Sequence, residues 1–302
     1  MSFVGSSRDI ALYLATLMLM LPVAGMADSK PASTWRNTLT AAYAWQGESD
    51  LDGGGNVRVD RGVAQFETSK RVGKQWFAGF SIGYGEDRYR FNGTSDAFSP
   101  WQDIRTLQFG LPLRYVVNKT WVLFGLPVLR YSAENGASLG DGREYGVIAG
   151  ASYRFSDRLS IGPGLGGFKG VGNEDDLFPV LFIRWRMTDT LSLETGRGLA
   201  ATRGPGLALK WKPLVQWEFG LAARYEKSRF RLADDAANIG QDKAVPIIAT
   251  AAWQLKPALS LTALAGVEAS GVLRVEDNTG AFIAEQSYST APIVGLVASV
   301  QF

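Results

Sequence analysis

The sequence contains no cysteine and no histidine. The first absence excludes disulfides, a thiolate nucleophile and thiolate-held zinc or iron–sulfur sites. The second removes the usual general base, the commonest metal ligand and every nucleophilic site in which a histidine activates serine or cysteine. An excess of charge of one sign is also missing: 31 Lys and Arg stand against 29 Asp and Glu, a net charge of +2, with both signs interspersed. Nucleic acid would call for a clustered basic face, so it is not expected as a partner. No stretch supplies the ~20 consecutive apolar residues that a membrane-spanning helix needs. The hydrophobic share of 46% is ordinary, which argues against both disorder and a helical membrane bundle. What is abundant is glycine (35 residues) together with aromatics (9 Trp, 10 Tyr and 16 Phe).

Residues 1–27 have the three-part grammar of a secretory signal. A short polar start carries Arg8, an apolar run extends from Ile10 to Val23, and small residues close the segment at Gly25-Met26-Ala27. Cleavage is expected after Ala27, leaving a mature domain over residues 28–302 whose net charge is unchanged, because Arg8 and Asp9 leave together. An exported chain without a helical anchor resides in the periplasm, outside the cell or in the outer membrane.

Period-two alternation chooses among these. Leu39, Ala41, Tyr43 and Trp45 alternate with Thr40, Ala42, Ala44 and Gln46. Val215, Trp217, Phe219, Leu221, Ala223 and Tyr225 alternate with Gln216, Glu218, Gly220, Ala222, Arg224 and Glu226. Soluble strands usually stop after about five or six residues, whereas a tilted transmembrane strand needs ~9–11. Its outer face must be apolar to meet lipid, while its inner face tolerates polar residues and glycine. The segments 153–164, 184–196, 209–220 and 253–266 repeat one plan: an alternating strand, a tight polar turn and a second strand reaching a glycine. With variants at 113–125 and near 70–76 they make six short turns, which alternate with seven longer polar connections. The expectation is an all-β, antiparallel up-and-down transmembrane barrel of about 14 strands, with 12 as the main alternative because the second strand (56–68) alternates ambiguously.

Lipid cannot satisfy an open sheet edge, so the last strand must pair with the first. That last strand carries Val294, Leu296, Ala298, Val300 and Phe302 on one face. An alternating final strand in register with a closing aromatic resembles the C-terminal signature of Gram-negative outer-membrane β-barrel proteins. The resemblance implies that Phe302 is an assembly signal read by the barrel-assembly machinery, and that the partners are outer-membrane lipid and lipopolysaccharide. The segments GPGLALKW (204–211), RYEKSRFRL (224–232), KAVP (243–246) and SYSTAP (287–292) further resemble an exported barrel family of unknown function, which implies no substrate.

With the lipid face set by alternation, Arg114, Arg154, Arg184, Arg186 and Lys210 point inward near the short-turn ends. Glu194 and Glu218 lie on strands leaving those turns, with Arg224, Glu226 and Glu268 further along. This candidate ring is either a charged constriction that selects solutes or a self-compensating ladder that fills a narrow barrel; the mixing of signs weighs toward the ladder. Inward glycines such as Gly79, Gly83, Gly110, Gly150, Gly162, Gly164, Gly220 and Gly266 are expected to serve curvature and close strand approach. Outward aromatics, among them Trp45, Trp76, Trp121, Tyr153, Trp185, Trp211 and Trp253, fit interface girdles. The acidic stretches Glu174-Asp175-Asp176 and Asp234-Asp235 lack the spacing of a calcium loop and read as solvated. No cofactor, metal or enzymatic activity is expected: barrel enzymes as families rely on histidine, and a carboxylate-only site would need Glu194 and Glu218 close together with one strongly perturbed. The expected function is passive conduction of small solutes, the alternative a structural or surface-interaction barrel with a blocked lumen.

Overall fold

The computed structural model describes residues 35–94, 101–173, 175–195, 206–233 and 239–302. The alternating segments become seventeen strand segments of one sheet. In chain order they are β1 (Arg36–Asp50), β2 (Asn56–Val72), β3 (Trp76–Asn92), β4 (Asp103–Gly110), β5 (Leu113–Val116) and β6 (Trp121–Glu134). Then come β7 (Arg143–Arg154), β8 (Leu159–Lys169), β9 (Asp175–Arg186), β10 (Leu191–Thr195), β11 (Gly206–Leu214) and β12 (Trp217–Arg224). The last are β13 (Glu226–Arg231), β14 (Ile239–Lys256), β15 (Leu259–Glu276), β16 (Phe282–Tyr288) and β17 (Ala291–Gln301). Three pairs are single passes across the wall, broken once: β4 with β5 at Leu111-Pro112, β12 with β13 at Tyr225, and β16 with β17 at Ser289-Thr290. The barrel therefore has 14 strands rather than 12. The expected signal over residues 1–27 lies outside the described residues, as do Glu174, Asp234 and Asp235.

Closure runs through β1 and β17, in register from Thr38↔Gln301 to Gln46↔Ile293. Two backbone bonds between Asn37 and Phe302, each 3.0 Å, finish the seam. Neighbouring wall strands pair antiparallel, and the short connections all fall at one end, the periplasmic one in barrels of this construction.

The outer face changes character along the axis. Leu39, Trp45, Leu123, Leu165, Leu181, Leu221, Leu261 and Leu296 stand exposed in an apolar belt. Near the short turns the belt ends in paired aromatic rings: Trp76–Tyr115 at 4.7 Å, Trp121–Tyr153 at 5.0 Å and the stacked pair Trp217–Trp253 at 5.8 Å. Toward the long loops the outer face turns polar. Tyr43 donates to Asp60 at 2.6 Å, and Arg88 pairs with Glu86 at 2.9 Å.

The interior inverts with it. In the half bearing the long loops, Val57, Val59, Tyr89, Trp101, Ile104, Phe230, Leu273, Val275 and Tyr288 form a buried apolar cluster. A second cluster of Ala42, Ala44, Ile248, Leu264, Ile293 and Val297 fills the inner side of the closing strands. The first cluster reaches across the bore because β13 leaves the wall. β12 pairs with β11 on one side and β14 on the other, whereas β13 keeps β14 and touches β6 through the parallel pair Arg231↔Ala133. Glu134 secures this crossing by accepting the backbone N–H of Gln102 at 2.7 Å and that of Ala233 at 2.8 Å.

Candidate functional site

Between this plug and the short turns, the interior along β6 to β12 keeps half-exposed side chains, and two kinds of surface meet there. The first is aromatic. Phe124 and Phe182 meet edge-to-face at 4.1 Å on the inner wall, and Phe178, further along β9, stacks on the buried Phe168 at 6.1 Å. Glycines on the neighbouring strands make this possible: a Cβ at Gly150 would come within 2.7 Å of Phe124, at Gly164 within 2.6 Å of Phe182 and at Gly166 within 2.4 Å of Phe178. These inward glycines thus make room for rings lying over them. Gly162 and Gly266 follow the expected close strand approach instead, since an added Cβ would run into the backbone oxygens of Ala151 and Ile247.

The second surface is charged. Arg184 on β9 stands directly across from Glu194 on β10. Lys210 on β11, only 8% exposed, donates to Glu194 at 3.1 Å. Three neighbouring strands therefore place two cations on the same inner face as one carboxylate, Lys210 in contact with it and Arg184 at the directly opposed position.

The other members of the sequence-derived ring sit elsewhere. Arg114, on β5, packs its guanidinium over the Phe77 ring at 5.3 Å, where Arg71 also stacks at 5.5 Å. Arg154 is half-buried near the end of β7, opposite Ser160. Arg186 is exposed at the rim and donates to the backbone oxygen of Asp157 at 3.1 Å, which ties together two adjacent short turns. Glu218 is opposite Ala252 on β14. Glu194 pairs with Ala208 and Ala208 with Ala222, so Glu218 lies four residues along β12 from the level of Glu194, about 13 Å at the usual strand rise. The two glutamates are not brought together, and the carboxylate dyad that an acid–base site would require is not formed. Further along, Arg224 and Glu226 pair with each other across the break at Tyr225.

Sequence reasoning missed a buried network of charged and phenolic side chains. Arg61 makes a two-pronged contact with Glu268, at 3.1 and 3.0 Å, and lies 3.6 Å from Asp242. Tyr89 donates to Asp242 at 2.8 Å, and Tyr288 donates to Glu268 at 2.8 Å and to Asp242 at 3.2 Å. Five side chains from β2, β3, β14, β15 and β16 thus close a network beneath the apolar plug. Arg61 lies on the strand whose alternation was ambiguous, so its inward orientation carried no signal.

Among solved structures, the chain is similar over most of its length to a FadL homologue from Pseudomonas aeruginosa, with 12% identity, a TM-score of 0.51, and 88% of this chain and 90% of that one covered. It is similar in the same degree to an outer membrane channel from Pseudomonas putida F1, with 10% identity, a TM-score of 0.51, and coverage of 92% and 98%. The chain has the fold of an outer-membrane β-barrel. At these identities the likeness establishes the fold of the barrel, not its cargo. No family model matches the barrel, so the likeness to a particular exported family finds no support, and no curated protein matches it either.

Proposed function

We propose that the barrel is a narrow outer-membrane channel for small solutes with both an apolar and a charged part. The observation that carries this reading is the half-exposed inner strip on which Phe124 and Phe182 meet edge-to-face, with Arg184 next on the same face of β9 and Glu194 opposite it. A solute passing along it meets an aromatic surface beside two cations and one carboxylate, which discriminates by charge as well as size. The fold it shares with an outer membrane channel supports the same reading. A structural barrel with a closed lumen is the second reading, favoured by the apolar plug and the Arg61 network.

Planar-bilayer recording separates the two. A channel gives discrete openings, and replacing Arg184 and Lys210 with Glu moves the reversal potential toward cation preference. A wild type that stays silent through repeated verified insertions overturns the channel reading in favour of the structural one.

A further inference from the structure

The charge of the chain is nearly balanced, but it is not evenly placed along the barrel axis. The six short turns join β2 to β3, β5 to β6, β7 to β8, β9 to β10, β11 to β12 and β14 to β15. Each carries an exposed cation in the turn or within three residues of it: Lys74, Lys119, Arg158, Arg186, Lys212 and Lys256, in that order. The stretches 70–76, 117–121, 155–159, 186–191, 212–217 and 254–259 together hold eight Lys and Arg against two carboxylates, Asp157 and Asp189. The seven long connections at the other end (51–55, 93–102, 135–142, 170–174, 196–205, 232–238 and 277–281) hold two Arg against seven carboxylates. A chain of net charge +2 thus has one basic end and one acidic end.

Neighbouring residues do not cancel the basic end. Residues 28–34, which precede β1 in the sequence, add one Asp and one Lys. The nearest wall carboxylates are Glu67, Glu194 and Glu218. Each follows an outward residue, Phe66, Leu193 or Trp217, whose cross-strand partner (Leu39, Trp185 or Trp253) is exposed, so the carboxylates face the bore. Asp189 is already held by Arg158 at 2.9 Å, and the turns that bear the four lysines contain no carboxylate.

A basic rim alone fits a solvated surface. The apolar side chains of the same turns are the second observation, and they argue against open water. Val117, Phe155 and Leu255 are exposed two residues beyond the girdle rings Tyr115, Tyr153 and Trp253. Phe155 and Leu214 are each 62% exposed, and Val215 is 86% exposed at the tip of its turn. Lys70 Nζ stands 5.3 Å over the exposed Trp35 ring, which combines both characters in one contact. Turns that present apolar and cationic side chains together suit the headgroup layer, where apolar bodies sink toward the acyl chains and cations meet phosphate.

We propose that the short-turn rim is a docking surface for anionic phospholipid headgroups of the leaflet in which it stands. Zwitterionic headgroups carry no net charge to attract it. An anionic leaflet sets up a field that falls off over about 10 Å at 0.1 M salt, a reach that covers the depth of a turn. The aromatic girdle fixes the height of the barrel, and the cations below it select the lipid. The surface is independent of conduction, since neither the plug nor the inner strip of Phe124 and Arg184 takes part.

The test is reconstitution of the folded full chain into phosphatidylcholine vesicles that contain an equal fraction of either brominated phosphatidylglycerol or brominated phosphatidylcholine. Bromine on the acyl chains quenches tryptophans in contact with the lipid, and all tryptophans except Trp45 and Trp101 lie near the short turns. Phosphatidylglycerol is expected to quench more strongly at low salt, with a relative affinity of about twofold or more, and equally at high salt, because added ions screen the leaflet's field. Changing Lys74, Lys119, Lys212 and Lys256 together to Gln should remove most of the preference, and changing the same four to Arg should keep it. Heat-modifiable gel mobility verifies that each variant is folded. Where the four changes prevent assembly, the salt dependence of the wild type carries the test alone. An undiminished preference in the folded glutamine variant, or one that persists at high salt, overturns the proposal. Equal quenching by the two lipids in the wild type at low salt overturns it as well, and assigns the cations to a soluble acidic partner.

Discussion

Glu268 accepts two nitrogens of Arg61 and the hydroxyl of Tyr288 while almost wholly shielded from water. Withdrawing one partner from such a pair strands the other charge in a poorly solvated place, at a typical cost of about 3–5 kcal/mol. Asp242 remains 3.6 Å from Arg61, so Glu268→Gln should fall near the lower end of that range. Urea unfolding of the folded barrel, followed by tryptophan fluorescence, measures it. Replacing the pair together, as Arg61→Met with Glu268→Leu, should recover most of the loss, because an apolar pair needs no compensation. A Glu268→Gln barrel that unfolds at the wild-type urea concentration would show that the network contributes no stability.

At the scale of the strand, β17 and its last residue have separable roles. The backbone of Phe302 closes the seam with Asn37, but its ring is 67% exposed and packs little protein. Phe302→Asp should therefore lower the yield of assembled barrel and leave the unfolding temperature of what does assemble nearly unchanged, since a carboxylate near the membrane interface costs little. Wild-type yields of heat-modifiable barrel from this variant would deny Phe302 any part in assembly. The lipid-spanning parts of the strands were legible from alternation, because one face must be apolar and the period is two. The parts beyond the lipid were not. There Val57 and Val59 point in while Arg58 and Asp60 point out, the reverse of the sense expected inside the membrane. A strand that crosses from one regime to the other shows charges on both faces when read end to end, which is why β2 looked ambiguous and Arg61 passed unnoticed. Of the candidate site, the inward orientation of Arg184, Glu194 and Lys210 was legible because each alternates with an apolar outward residue close to a short turn. How far Glu218 stands from Glu194 along the barrel was not legible, because the relative stagger of strands is set by the register of the ladders, which a single chain does not display. Of the strand breaks, the one before β5 carries a visible proline at Pro112, which cannot donate to a ladder. Tyr225, where β13 turns inward, carries no comparable mark.

For the whole molecule, the inversion makes two stacked bodies from one sheet: a lipid-spanning half with a mixed interior, and a half beyond the lipid packed like a soluble β-protein. Conduction depends on whether the second body seals the first. Its centre is Phe230, 1% exposed, against which Trp101 packs edge-on at 5.0 Å and Tyr89 tilts at 6.4 Å. Phe230 is on β13, the segment that crosses the bore to β6, so the ring and the crossing act together. Truncating a buried phenylalanine costs about 3–5 kcal/mol where it cannot be repacked. Here the loss is local, because among the described residues β13 shares no ladder with β11, and the seam between β1 and β17 lies elsewhere in the wall. Phe230→Ala should thus leave a closed, heat-modifiable barrel while loosening the crossing. If solutes pass through the plug region, the variant should show more frequent or larger openings than wild type in planar bilayers. Trp101→Ala, acting on the same cluster from the opposite wall, should do likewise, and the double variant should add little to either single one, since contacting residues are not independent. Conductance indistinguishable from wild type in a folded Phe230→Ala barrel would mean that the plug is not the barrier, and that any passage opens between the strands rather than through the mouth.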